Sequence, residues 1–212
     1  MTNERLFTLI SASYCVLIVL ANIISVKMMP LTDSFSIPIG LLISPVTFLL
    51  CALTTELFGA KQARMMVFTA LSLMLLSIGV IQGALFLPNS DLANQEALQA
   101  TLGLSPLILF SSLAGYAISQ LLEISLYASI RRFTGEPLLW LRNSGSVLIS
   151  QAADTAIVNS LYLAWGLSLP FEEVTKVIIF AYFYKLALGM LSTPMLYFFL
   201  AFFKSVVRVR VH

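Results

Sequence analysis

The sequence has few charged residues, one histidine and two cysteines. Of its 212 residues, 10% are charged and 59% are hydrophobic, which is too apolar a composition for a soluble globular domain. The formal net charge is only +2, and the basic residues lie in short clusters between apolar runs. The composition argues against a soluble globular domain, and the scattered basic residues give no support to nucleic-acid binding.

The scarcity of reactive side chains also limits the chemistry. The single histidine is His212, while Cys15 and Cys51 lie inside apolar runs and are interpreted as small packing residues. The sequence contains no nucleophile elbow, P-loop or metal-ligand spacing. We therefore expect no enzymatic activity, no metal and no other cofactor, and any ATP coupling would need a separate subunit.

Long apolar runs dominate the chain instead. A bilayer core about 30 Å thick requires roughly 20 apolar residues of α-helix, and the first run shows no cleavage site that would remove it. The prediction is an all-α, multi-pass bundle of six transmembrane helices forming one domain over residues 1–212. The predicted spans are 7–29, 38–57, 64–87, 105–130, 145–167 and 177–203, with a short surface helix near 91–101 that Gly103 stops.

Basic residues in the short connections predict the orientation of the bundle. One side holds Arg5, Lys61, Arg64, Arg131, Arg132, Arg142, Lys204, Arg208 and Arg210, and the other holds Lys27 and Lys176. Because basic residues accumulate on the cytoplasmic side, this distribution predicts that both termini are cytosolic. The expected location is a bacterial inner membrane.

The fifth span carries the most polar helix face. Gln151, Thr155, Asn159 and Tyr162 recur at helical spacing, and Asp154 flanks them. Interhelical hydrogen bonding alone explains two or three such residues. Five of them, including a carboxylate, favour a water-lined cavity that Asp154 faces.

Lys185 is predicted to pair with Asp154. Asp154 lies nine residues beyond the inner start of its span, and Lys185 lies eight residues beyond the outer start of the next. At about 1.5 Å per residue their depths agree to within a few Å. Two interpretations remain open: a purely structural ion pair between the helices, or a functional pair near the bilayer midplane.

Other intramembrane polar residues give weaker signals. Glu123 shares a helix face with Gln120, and its position near Arg131 predicts a side chain that reaches the cytosolic interface. Glu56 ends the second span and is interpreted as an interfacial anchor. Asn22 lies deeper in the first span, where an isolated amide more often serves packing than ligand binding.

Several short motifs together resemble the queuosine precursor transporter family, also described as vitamin-uptake-transporter-like proteins. Their order and spacing over about 17–197 carry the resemblance. They are Ala21-Asn22-Ile23 with Lys27, Pro45-Val46-Thr47-Phe48, Glu56-Leu57-Phe58-Gly59, Ala63-Arg64, Ser150-Gln151-Ala152-Ala153-Asp154-Thr155, and Lys185 followed by Thr193-Pro194. Ala52 departs from the pattern, because many members have an aspartate there.

The resemblance implies an importer of queuosine precursors, namely 7-cyano-7-deazaguanine, 7-aminomethyl-7-deazaguanine or queuine, which feed tRNA modification. Its expected partners are this small 7-deazapurine substrate and the lipid bilayer. The alternative is a substrate-binding membrane component of an ATP-driven, energy-coupling-factor type uptake system, although nothing in the sequence indicates such a partner module.

A guanine-like edge presents an N–H and an exocyclic amino group that one carboxylate accepts together. Asp154 is the preferred acceptor. Lys185 is its expected counter-ion in the empty state. The remaining candidates are Gln151, Asn159 and Asn22 as further polar contacts, Tyr162, Tyr182 or Tyr184 as stacking rings, and Glu56 and Glu123 as secondary acids.

Overall fold

The computed structural model describes residues 3–25, 27–32, 35–88, 91–103, 106–134, 138–161, 170–190 and 192–206. Within these ranges the chain is built almost entirely from α-helices. Their bounds are α1 Asn3–Ile24, α2 Ser44–Phe58, α3 Ala60–Phe86, α4 Leu92–Leu102, α5 Pro106–Thr134, α6 Leu139–Asn159, α7 Phe171–Met190 and α8 Ser192–Val206. The predicted all-α class is confirmed.

A small hairpin connects the first two long helices. Strands β1 Met28–Thr32 and β2 Phe35–Pro38 pair antiparallel, with Met28 opposite Pro38. A 3₁₀ turn at Ile39–Leu42 then leads into α2. The predicted surface helix is α4, which Asp91 caps through its side chain and which ends at Gly103.

Five helical stretches in the described part of the chain are long and apolar enough to cross a membrane. They are Asn3–Ile24, Ile39–Phe58, Ala60–Phe86, Leu109–Thr134 and Val174–Phe203. These match the predicted spans except the fifth. Helix α6 does not meet the same criterion, because Arg142, Asn143, Gln151 and Asp154 lower its hydropathy.

The predicted sixth span, 177–203, corresponds to the helical stretch Val174–Phe203. Helix α7 ends at Met190 and α8 begins at Ser192, with Leu191 outside the described residues. Pro194 lies in the first turn of α8, and it has no N–H to donate to the carbonyl four residues earlier.

Compared with a soluble protein, this protein exposes many large apolar side chains and buries several charged ones. Phe86, Phe133 and Phe171 are 89%, 90% and 83% exposed, whereas Glu123 and Arg142 are each 1% exposed. Exposed apolar surface on this scale belongs against lipid, and charged groups in the membrane face the bundle interior. The protein is a multi-pass membrane protein.

Helix α2 lies at the centre of the bundle. It packs against α1, α3, α5, α7 and α8, and Cys51 and Ala52 are buried on it. Small residues allow this close approach between helices, and both cysteines are free and buried as predicted. Gly59 alone separates α2 from α3, with φ of 85°, a conformation that glycine adopts without strain.

Candidate functional site

The predicted contact between Asp154 and Lys185 is present between α6 and α7. Lys185 Nζ donates to Asp154 Oδ2 at 2.6 Å, and the two side chains are 9% and 19% exposed respectively. Ser119 Oγ of α5 donates to Asp154 Oδ1 at 3.5 Å. The carboxylate therefore points into the junction of three helices, with one oxygen on the ammonium group and the other towards a hydroxyl group.

A glycine on α5 makes this junction possible. A Cβ at Gly115 would lie 2.3 Å from Val158 Cγ2 and 3.1 Å from Asp154 Oδ1. Both distances are closer than ordinary side-chain contacts, so α6 approaches α5 only because position 115 has no side chain. Gly115 thus controls how deeply Asp154 sits between the helices.

The rest of the predicted polar face is only partly available to a ligand. Gln151 is 3% exposed, and Thr155 is fully buried with no hydrogen-bond partner for its hydroxyl. Asn159 donates its amide to the Thr155 carbonyl of its own helix at 2.7 Å. Tyr162, the predicted stacking ring of this helix, lies outside the described residues.

Two other predicted site residues contact different partners. Asn22 on α1 points its amide nitrogen at Met74 Sδ of α3 at 3.9 Å, a weak contact. Tyr182 Oη donates to the Leu148 carbonyl of α6 at 3.4 Å and packs beside Phe183. No described contact joins either residue to the Asp154–Lys185 pair.

The interpretation of Glu56 as an interfacial anchor is wrong. Glu56 is 4% exposed, and its Oε1 accepts from Arg142 Nη2 at 3.3 Å. Tyr127 Oη donates to its Oε2 at 2.7 Å, and Arg131 Nη2 lies 3.9 Å from Oε1. Glu56 is the centre of a buried charged cluster that joins α2, α5 and α6.

Arg142 belongs to this cluster but is not among the residues predicted from the sequence to form a site. The sequence places it in a loop, because the fifth span is predicted to begin at Gly145. In the structure α6 begins at Leu139. A signal was present: Arg142, Ser146 and Ser150 follow at four-residue intervals and all are buried on one helix face.

The expectation that Glu123 reaches the cytosolic interface is also wrong. Glu123 is 1% exposed, and neither carboxylate oxygen has a hydrogen-bond partner. Helix α5 continues to Thr134 instead of ending near 130, so Glu123 lies roughly 17 Å from its C-terminal end at 1.5 Å per residue. Glu123 is close to the midpoint of Leu109–Thr134, the part of α5 that is long and apolar enough to cross a membrane.

A hydrogen-bonded chain lies beside Glu123 and was not predicted. Tyr116 Oη donates to Tyr14 Oη at 2.6 Å, and Tyr14 Oη donates to Gln120 Oε1 at 3.0 Å. Tyr14 and Gln120 are 0% and 1% exposed. A single tyrosine in an apolar run gives no sequence signal for such a contact, because its partner is more than 100 residues away.

Two open grooves lie on α3 in the described part of the chain, each about 600 Å³ in volume. One follows the face from Lys61 to Ser72, and the other lies between the end of α3 and α4. The expected hollow beside Asp154 is neither of these. In the part of the chain that the structure describes, no three His, Cys, Asp or Glu side chains are close enough to hold a metal.

An ion pair between helices of a multi-pass bundle is typical of the substrate and ion pathways of membrane transporters. Residues 38–199 match the model of a family described as "Putative vitamin uptake transporter". The chain therefore belongs to that family, which is one of transporters and not of enzymes.

A relative from Bacillus subtilis (strain 168), described as "Probable queuosine precursor transporter", is 35% identical over 144 residues. The alignment covers 67% of this chain and 62% of the relative, so the chain spans less than two thirds of the length of that relative. No solved structure matches the chain.

Proposed function

We propose that this protein imports queuosine precursors across a bacterial inner membrane, as a single transporter domain over residues 1–212. The name of the 35% identical relative supports the substrate class, and the family supports transport. The observation that carries the proposal is the Asp154–Lys185 ion pair, which joins α6 to α7 and whose side chains are both largely buried. The cyano and aminomethyl 7-deazaguanines and queuine share the guanine-like edge that such a site would read.

The recognition step follows from hydrogen-bond chemistry. A carboxylate held by one ammonium group can exchange that donor for the paired N–H and amino groups of a guanine-like edge. Lys185 neutralises Asp154 when the site is empty, and the substrate displaces it on binding. Gln151, buried one turn before Thr155 on the same helix, supplies a further polar contact. In this proposal the water-lined hollow opens beside Asp154 when α6 and α7 separate.

Helix α6 is the fifth of six membrane spans in this proposal, and both termini are cytosolic. Its 21 residues extend roughly 32 Å at 1.5 Å per residue, enough to cross the bilayer core. Its exposed residues include Trp140, Leu148 and Ile149, whereas Asn143 and Gln151 are buried. A helix whose polar face is covered by its neighbours can span a membrane despite a low mean hydropathy.

The test is uptake in cells that neither make nor import queuosine precursors, with modified tRNA as the readout. We expect the chain to restore modification with at least one supplied precursor, and Asp154→Asn and Lys185→Met to abolish it at equal membrane levels. The matched control is the exposed pair Glu172 and Lys176 on α7, which are 2.6 Å apart, and Glu172→Gln with Lys176→Met should retain uptake. Full activity of Asp154→Asn would refute the site.

Purified protein in sealed vesicles without ATP separates a self-sufficient carrier from a component of an ATP-driven system. We expect uptake of the same precursor into these vesicles. Binding without uptake would mean that the chain requires a partner module, and no binding of any precursor would refute the substrate class.

A further inference from the structure

Glu123 is an acid that the proposed substrate site does not use. Its carboxylate is buried in α5 with neither oxygen hydrogen-bonded, although it lies near Tyr14 of α1, Cys51 of α2 and Tyr116 of its own helix. None of these three neighbours is a cation. An unpaired carboxylate in hydrocarbon costs several kcal/mol, so this arrangement is stable only if the group holds a proton.

The charged residues of the neighbouring helices are engaged elsewhere. From α6, Arg142 contacts Glu56 at 3.3 Å and Asp154 contacts Lys185 at 2.6 Å. From α3, Arg64 Nη2 donates to Ser125 Oγ at 3.3 Å, and Ser125 lies two residues beyond Glu123 on a different face of α5. Arg142, Asp154 and Arg64 each therefore have a partner other than Glu123.

The surroundings of Glu123 are suited to holding a single proton rather than an organic ligand. The Tyr116–Tyr14–Gln120 chain lies beside it, and the two tyrosine hydroxyl groups can each donate and accept a hydrogen bond, as the passage of a proton requires. Intramembrane carboxyl groups are a recurring element of proton relays in pumps and transporters.

We propose that Glu123 is a proton-binding site that couples import to the proton gradient, separate from the substrate site at Asp154. This inference rests on the proposed transport function. In the closed arrangement the carboxyl carries one proton, taken from the outer water as an O–H bond forms on one oxygen. When α5 opens towards the cytosol, water solvates the carboxylate, the O–H bond breaks and the proton leaves to the cytosolic water.

Asp154 and Glu123 have different roles in this proposal because they have different partners. Asp154 is neutralised by Lys185 and needs no proton to remain inside the bundle, whereas Glu123 has no such counter-ion. The Asp154 site therefore exchanges one donor for another during substrate binding. The Glu123 site exchanges a proton for water, which links it to the gradient across the membrane.

The test compares two transport modes in proteoliposomes loaded with a queuosine precursor that the wild-type protein imports. With an imposed pH gradient, acidic outside, the wild type should accumulate substrate several-fold above equilibrium, and E123Q should only equilibrate it. Substrate exchange at equal concentrations, which needs no net proton movement, should be retained by E123Q. The control E172Q removes an exposed acid and should behave like the wild type.

The proposal is overturned if E123Q still accumulates substrate in response to the gradient, or if it loses exchange together with accumulation. It is also overturned if wild-type accumulation ignores the gradient. Where E123Q does not fold, E123D keeps the carboxyl group and should accumulate substrate with a shifted dependence on external pH. An unchanged pH dependence in E123D would likewise overturn the proposal.

Infrared spectroscopy tests whether Glu123 holds a proton, independently of whether the protein transports queuosine precursors. The wild type at neutral pH should show the carbonyl band of a protonated carboxylic acid, which E123Q lacks and D154N retains. A wild type without that band overturns the proton site. If no precursor is transported but the band is present and assigned to Glu123, the substrate proposal fails while proton binding stands.

Discussion

Replacing Glu56 by glutamine should destabilise the protein strongly, although sequence reasoning assigns Glu56 to the interface. Glutamine keeps the size of the side chain and can still accept the hydrogen bond from Tyr127. The substitution therefore removes mainly the charge that faces Arg142. The guanidinium stays buried, with a neutral amide in place of its carboxylate.

The magnitude follows from the geometry of the pair. Opposite unit charges 3.3 Å apart attract by about 5 kcal/mol at an effective dielectric constant near 20. Arg131, at 3.9 Å and with a 21% exposed side chain, contributes less because water screens it. Breaking a buried pair by removing one partner costs about 3–5 kcal/mol, and that is the loss expected for Glu56→Gln.

The assay is the free energy of unfolding of the purified protein, titrated with a denaturing detergent. Glu172→Gln, which removes a carboxylate from an exposed pair, is the matched control and should leave that energy nearly unchanged. The double variant Glu56→Gln with Arg142→Met should be less destabilised than the sum of the two single changes, with a coupling of about 1–3 kcal/mol. Additive effects, or a Glu56→Gln protein as stable as the control, would refute the assigned role of the cluster.

Two further predictions follow from the packing and the topology. Gly115→Ala should reduce uptake several-fold at equal membrane levels, because its Cβ would collide with Val158 and push α6 away from α5. The control is Gly79→Ala, whose Cβ would meet no other atom and which should leave uptake unchanged. In a protein without its natural cysteines, Lys176→Cys should react with a membrane-impermeant thiol reagent added outside intact cells. Lys61→Cys should react only after the cells are permeabilised. The reverse pattern would contradict cytosolic termini.

Much of the bundle is predictable because long apolar runs leave few alternatives to membrane helices. The contact between Asp154 and Lys185 is predictable for a similar reason: helical rise converts sequence position into depth, and two charges at equal depth on adjacent spans attract each other. Helix α6 is harder to assign from hydropathy, because its polar residues are covered by α5 and α7.

The errors concern which helices surround a side chain, and counting residues along a span does not reveal this. Glu56 and Glu123 are misassigned because the sequence does not reveal which helices surround each acid. The predicted helix ends add to the error: α5 is four residues longer than predicted at its C-terminal end, and α6 begins six residues earlier. The earlier start of α6 turns Arg142 from a loop residue into a helix residue.

Gly59 has a consequence for how the bundle moves. With a single residue between them, α2 and α3 have no slack in the chain, so neither can slide along its axis without the other following. Because α2 also touches α1, α5, α7 and α8, a displacement that starts at any of these four reaches α3 through Gly59. The α2–α3 hairpin therefore moves as one unit.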